Sequence, residues 1–137
     1  MTLVTAIAKN VKVSPKKTRF LADQIRKMDP AQALAILDFT VKSSSHPLKK
    51  AIASAVANAK NNLGLDEASL KFKTISIEEG PVVKRFRAVS RGRAHAILKR
   101  SSHIKITLEG DVMKKEAPKA IEAKKEEIKE DKNGTKS

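Results

Sequence analysis

The sequence predicts an α+β fold: a small antiparallel three-stranded sheet packed on three helices, with a long protruding β-hairpin and a flexible C-terminal tail. Three segments rich in β-branched residues predict the strands, and three segments with apolar residues at helical spacing predict the helices. The hairpin is predicted by residues 82–100 (VVKRFRAVSRGRAHAILKR), which combine strand-forming apolar residues with seven Lys or Arg and no acidic residue.

Composition limits the possible functions. The chain has 137 residues, enough for about one domain, and only 3% are aromatic, so we expect a core of Ala, Val, Ile and Leu. The absence of Cys excludes disulfides and thiolate metal sites. No apolar run approaches the roughly 20 residues that span a bilayer, and no secretory leader is visible. We therefore expect a cytoplasmic protein that does not bind a membrane, a metal ion or a cofactor and has no small-molecule substrate.

The first predicted strand covers residues 3–13, and the first predicted helix covers residues 15–28. Ser14 suits the N-cap of that helix and Pro15 its first position. The apolar stripe of this helix is Thr18, Leu21, Ile25 and Met28.

A second helix is predicted over residues 30–39 and a third from about Pro47 to Leu63. Gly64 follows the third helix, where a glycine commonly ends a helix in the left-handed conformation. The residues predicted to be buried are Ala33, Leu34, Ile36 and Leu37 in the second helix, and Leu48, Ile52, Ala55, Val56, Ala59 and Leu63 in the third.

The remaining core strands are predicted at residues 70–78 and 103–109. The latter alternates well, whereas the former changes parity between Phe72 and Ile75, which indicates a β-bulge. Residues 1–109 thus form the predicted domain. Residues 110–137 are rich in Lys and Glu and lack an adequate apolar stripe, so we expect a disordered tail or a frayed, solvated helix.

Residues 82–100 are predicted to extend the sheet outwards as a hairpin. Ser90–Arg93 offers a turn in which Gly92 is free to take positive φ. With about eleven residues per arm, the hairpin would reach about 35 Å. Both side-chain parities carry cations, so neither face could pack on a protein core without stranding charge. Folded RNA is the environment that fits, although a solvated surface loop is the simpler alternative.

Charge supports a nucleic-acid partner, with an anionic membrane surface as the second candidate. The net charge is +14, nearly all of it before residue 110, and such a surface attracts polyanions. A second basic cluster surrounds the predicted strand-to-helix turn, where free helix N–H groups favour phosphate. This cluster comprises Lys9, Lys12, Lys16, Lys17 and Arg19. An ordinary solvated helix face is the simpler alternative. The three histidines lack metal-ligand spacing; His95, within the arm, is predicted to hydrogen-bond RNA.

Three segments, VSPKKTRFLADQIR, SAVANAKNNLGLD and above all EEGPVVKRFRAVSRGRAHAILKRSSHIKITL, closely resemble the bacterial large-subunit ribosomal protein twenty-two family. The likeness covers roughly residues 5–109. It implies a small α/β domain that binds large-subunit rRNA, aids subunit assembly and contacts neighbouring ribosomal proteins. It further implies that the hairpin runs inwards and that its tip lines the exit tunnel beside the nascent peptide.

Matched positions assign roles to individual residues. The resemblance implies rRNA contact by Lys84, Arg85, Arg87, Arg91, Arg93, Lys99 and Arg100. It places the tunnel-lining tip at Ala88, Val89, Ser90, Arg91, Gly92, Arg93 and Ala94. Ala88 and Val89 stand where the family usually has Pro-Arg, so the tip loses a cation and some rigidity. Pro47 falls where the family continues a helix from near Thr40, which predicts a later start or a kink here.

Two other function classes remain open at this stage. A free-standing nucleic-acid-binding regulator or nucleoid protein would share the basic surface, but a dimeric DNA reader usually shows a recognition helix or a dimer seam. An enzyme is the least favoured class, because the sequence has no P-loop, dinucleotide-binding glycine motif or nucleophile elbow.

Overall fold

A computed structural model describes residues 2–111 and confirms the α+β class. The elements are β1 (Thr2–Val11), α1 (Pro15–Ile25), α2 (Pro30–Phe39), α3 (Ser45–Leu63), β2 (Lys71–Glu79), β3 (Val83–Ala88), β4 (Ala94–Lys99) and β5 (Ser102–Gly110). A 3₁₀ turn at Glu67–Ser69 precedes β2. The predicted tail lies outside the described residues from residue 112 onward, whereas Gly110 still belongs to β5.

The core sheet has the order β1-β5-β2, with β5 antiparallel to both neighbours. The alternation seen in the sequence is realised, because Ile104, Ile106 and Leu108 of β5 are fully buried. The predicted bulge is also present, as a register shift between Phe72 and Thr74. The sheet therefore buries one face, which the helices cover.

The helix α3 packs against β1, β5 and α2. Ala55 and Ala59 are fully buried along it, and such small side chains let the helix approach the sheet closely. Gly64 takes φ 59° and its N–H bonds the carbonyl of Ala59, as predicted for the residue that ends this helix. Leu63 is an exception to the predicted buried face, because the end of the helix leaves it partly exposed.

Helix boundaries differ from the predictions by a few residues. The helix α1 ends at Ile25, and α3 begins at Ser45 rather than Pro47. Pro47 falls in the first turn of α3, where a missing N–H costs no intrahelical hydrogen bond. The connection between α2 and α3, residues 40–44, is not helical. Within it, the carbonyls of Thr40 and Lys42 accept hydrogen bonds from the Ser45 hydroxyl. The helix α3 therefore begins later than Thr40, as Pro47 had indicated, but two residues before Pro47 itself.

Of two further local expectations, the N-cap position of Ser14 is confirmed and the burial of Ile36 is wrong. Ser14 holds the N-cap position of α1, but its hydroxyl makes no capping hydrogen bond. Its carbonyl instead accepts from the Thr18 hydroxyl at 3.0 Å, which satisfies the buried threonine. Ile36 of α2 is 43% exposed, because only Ala33 and Leu37 of that helix's apolar residues reach the centre of the core.

The hairpin forms its own two-stranded sheet, β3-β4, instead of a continuous extension of the core sheet. Its ladder has six residues per strand, about 20 Å at 3.3 Å per residue, so the predicted 35 Å reach was too long for the paired part. Every residue from 81 to 100 is exposed. The hairpin therefore stands clear of the core on both faces.

Candidate RNA interface

The register of the hairpin sorts its side chains onto two faces. Directly paired residues share a face, and successive residues alternate. One face, here called the cationic face, carries Val83, Arg85, Arg87, His95, Ile97 and Lys99. The other, here called the apolar face, carries Lys84, Phe86, Ala88, Ala94, Ala96 and Leu98. Both faces hold a cation, as predicted, but the charge is concentrated on one of them.

The tip of the hairpin is a tight turn. The Val89 N–H donates to the Arg93 carbonyl at 2.9 Å, and the Arg93 N–H donates to the Ser90 carbonyl at 3.4 Å. Gly92 has φ 66°, as predicted, and Arg91 has φ 59°. Positive φ at both central residues matches the twist of a tight hairpin. For Arg91 this conformation costs about 1 kcal/mol, which nothing in the sequence pattern had indicated.

The base of the hairpin is a close crossing of two chain segments. The Gly80 N–H donates to the Ser101 carbonyl at 3.0 Å, and the Ser101 hydroxyl donates to the Pro81 carbonyl. A Cβ at position 80 would lie 2.6 Å from Ser101 Oγ and 3.2 Å from its carbonyl carbon. A side chain at position 80 would displace the Ser101 hydroxyl, so Gly80 permits the close crossing at the base of the hairpin.

Next to the base, the structure brings one member of the second basic cluster, Lys12, to the cations of the hairpin. A cleft of about 700 Å³ is lined by Lys12 and Ser14 on one side and by Arg85, Lys99 and Arg100 on the other. Val83, Leu98 and Ser101 complete its lining. Four cations converge on this cleft, and no acidic side chain lines it. The cleft is therefore a candidate anion-binding site at the junction of hairpin and body.

The other members of the second basic cluster are spread over the body. Lys16 and Lys17 line a separate recess of about 610 Å³ with Phe20 and Lys42. The ammonium of Lys42 lies 4.7 Å from the centroid of the Phe20 ring, a cation–π contact. Lys9 is exposed on β1.

Arg19 has a structural contact that separates it from its neighbours in sequence. Its Nε donates to the Ile77 carbonyl at 3.0 Å, and Arg26 Nη2 donates to the Ile75 carbonyl at 3.3 Å. Both arginines thereby join α1 to the edge strand β2. Arg19 therefore has a structural role in joining α1 to β2. The RNA contact predicted for the same residue stays a prediction.

Within residues 2–111, none of the ion pairs involves a hairpin cation. The pairs are Arg26–Asp23, Lys49–Asp38 and Lys60–Glu67, all in the body. The hairpin charge is therefore left uncompensated by the described part of the chain.

Among residues 2–111, no three His, Asp or Glu side chains are placed to hold a metal ion. None of the described helices is long and apolar enough to cross a bilayer.

Residues 6–109 match the model of the family described as ribosomal protein L22p/L17e. The chain belongs to this family. The match runs from within β1 to the penultimate residue of β5 and so includes the whole hairpin. Members of the L22p/L17e family are structural, non-enzymatic constituents of the ribosome that bind rRNA. The chain is accordingly an rRNA-binding constituent of the large ribosomal subunit, which the sequence resemblance had indicated.

The structure also shows two features that residue patterns alone did not predict. Lys42 lies in the connection between α2 and α3, and the fold places it with Lys16 and Lys17 around Phe20. Its position depends on a contact between α1 and the connection before α3, which no periodicity encodes. The separation of charge between the hairpin faces was equally hidden, because it depends on which residues of β3 and β4 pair.

Proposed function

We propose that this L22p/L17e protein inserts its hairpin into folded rRNA, aids assembly of the large subunit and lines the nascent-peptide exit tunnel with the hairpin tip. The observation that carries the proposal is that every residue from 81 to 100 is exposed, on both faces of the hairpin, and that none of the ion pairs within residues 2–111 involves its cations. The proposed rRNA contacts are Lys12, Lys16, Lys17, Arg19, Lys84, Arg85, Arg87, Arg91, Arg93, His95, Lys99 and Arg100. The protein would act in the cytoplasm.

Energetics favour RNA as the surroundings of the hairpin. A two-stranded ribbon with no layer packed on it is marginal in water. Packing a second protein on the cationic face would bury Arg85, Arg87 and Lys99 without partners of opposite charge from this chain. Phosphates supply that charge from all sides, and most such contacts position the protein without reading sequence. Binding to several rRNA segments at once would support assembly.

The geometry of the tip fits the lining of a narrow passage. The last ladder pair, Ala88 and Ala94, has small side chains, and the turn beyond it is tight. The tip lies at the end of the ribbon remote from the body, so it is the part that would reach furthest into the subunit. Residues 88–94 are therefore proposed to contact the growing peptide.

The salt dependence of RNA binding tests the electrostatic part of this proposal. If the seven hairpin cations each displace a counterion, log K should fall with log salt with a slope of about −5 to −6. Filter binding of the full chain to in vitro transcribed large-subunit rRNA across a potassium chloride series measures it. A slope near zero would contradict the account, because phosphate contacts would then contribute little.

A photo-crosslinker tests the position of the tip. A photoreactive amino acid at Val89 is expected to crosslink to nascent peptides in ribosomes stalled during translation. The same group at Thr107, in the core sheet, should give no such product. Crosslinks from both positions, or from neither, would count against a tip that faces the peptide.

A further inference from the structure

We infer that the apolar face of the hairpin is a base-stacking site, in which an unpaired RNA base lies against the ring of Phe86. The inference rests on the proposed insertion of the hairpin into rRNA and adds a second mode of contact. The cationic face would bind phosphates, whereas the apolar face would hold a base. Each face then has a separate function and a separate experimental signature.

The first argument is the exposure of Phe86. The ring is 79% exposed, although the chain has only four Phe and no Tyr or Trp. Leaving so large an apolar side chain in water is unfavourable, and nothing in the described residues covers it. Phe39 of α2 is also exposed, at 87%, so it is the position of Phe86 in the middle of a cationic ribbon that indicates a surface buried when a partner binds.

The second argument is the space around the ring. Phe86 pairs directly with Ala96, and the next pair towards the tip on the same face is Ala88 with Ala94. Strand side chains stand roughly perpendicular to the sheet, so these alanines leave one side of the ring open. A flat platform with small neighbours suits a planar ligand the size of a nucleobase.

The third argument is charge, which separates a base from an apolar protein partner. Lys84 lies on the apolar face with Phe86, two positions away on β3. Residues 82–100 contain no acid. A hydrophobic protein surface laid on Phe86 would desolvate Lys84 without a counter-charge. An RNA loop offers a base for the ring and phosphates for the cations together.

Substitutions that keep or remove the ring test the inference. The full chain and its variants are bound to in vitro transcribed large-subunit rRNA. Phe86→Leu keeps an apolar side chain but loses the ring, and should weaken binding about 5- to 150-fold without changing the salt slope. Phe86→Trp should bind within a few-fold of the wild type. Leu98→Ala, which removes apolar area from the same face but no ring, should have the smaller effect.

A fluorescence measurement adds a direct readout. The chain contains no Trp, so Phe86→Trp introduces a single reporter. Stacking on a base should quench its emission when the rRNA is added. Ile97→Trp, on the cationic face, is the matched control and should be quenched less.

The outcomes separate this inference from the proposed function. Wild-type affinity in Phe86→Leu, with the salt slope intact, would overturn base stacking and leave rRNA insertion standing. Loss of salt-dependent binding in the wild type would overturn both. If Phe86→Leu binds naked rRNA normally but enters large subunits poorly, the ring faces a protein and the inference is wrong. Urea unfolding of each variant should match the wild type, because the hairpin stands outside the core.

Discussion

Reversing Arg85 and Arg87 to Glu is expected to lower the affinity for large-subunit rRNA by about 100-fold or more and to keep the protein out of large subunits. Both residues lie on the cationic face, two positions apart on β3. Each charge-assisted hydrogen bond to phosphate contributes about 1.5–3 kcal/mol, and the new carboxylates add repulsion. Filter binding measures the affinity, and sedimentation of cell lysates measures incorporation.

Two control variants separate this effect from general ones. Arg85→Lys with Arg87→Lys keeps the charge and should lose much less affinity. Lys27→Glu with Lys50→Glu makes the same change in net charge on exposed parts of the body and should also cost less. The reversed variant should unfold in urea within about 0.5 kcal/mol of the wild type. Global unfolding, or normal co-sedimentation with large subunits, would refute the proposed role of the cationic face.

Replacing Ile106 by Ala is expected to lower the free energy of unfolding by about 2–5 kcal/mol. Ile106 is fully buried in β5, the central strand of the core sheet, where truncation leaves a cavity between sheet and helices. Typical domains are stable by only about 5–15 kcal/mol, so this variant should be close to its limit. Urea denaturation followed by circular dichroism measures the change.

Ile97→Ala is the matched control, because it makes the same chemical change in the hairpin. Ile97 is 42% exposed and has no core contact, so its truncation should cost about 0.5 kcal/mol or less. A loss comparable to that of Ile106→Ala would mean that the hairpin is part of the cooperative core. The pair of variants thus measures the independence of hairpin and body.

Much of the body could be predicted because its signals are local. The alternation of Ile104, Ile106 and Leu108 with polar residues predicts a strand with one buried face, and these three side chains are buried in the structure. The change of parity between Phe72 and Ile75 had to be a bulge if both residues face the core, and the register shift is there. Gly64 ends α3 because glycine, which has no side chain, adopts the left-handed conformation at little cost in free energy.

The features that were missed depend on distant parts of the chain. Ile36 follows helical spacing, but its exposure depends on where α3 crosses α2, which the spacing does not encode. Arg19 bonds the carbonyl of Ile77, a residue 58 positions away. The division of the hairpin into two faces depends on strand register, which the turn sets. The residues of the candidate site could therefore be proposed from the sequence, whereas their positions relative to one another could not.

The central claim is that the hairpin becomes rigid only when RNA encloses it, and amide hydrogen exchange tests this most directly. In the free protein, the ladder amides of residues 83–88 and 94–99 should exchange at close to unfolded-chain rates, while those of β5 are strongly protected. Adding large-subunit rRNA should protect the hairpin amides. Protection of the hairpin equal to that of β5 in the absence of RNA would contradict the account.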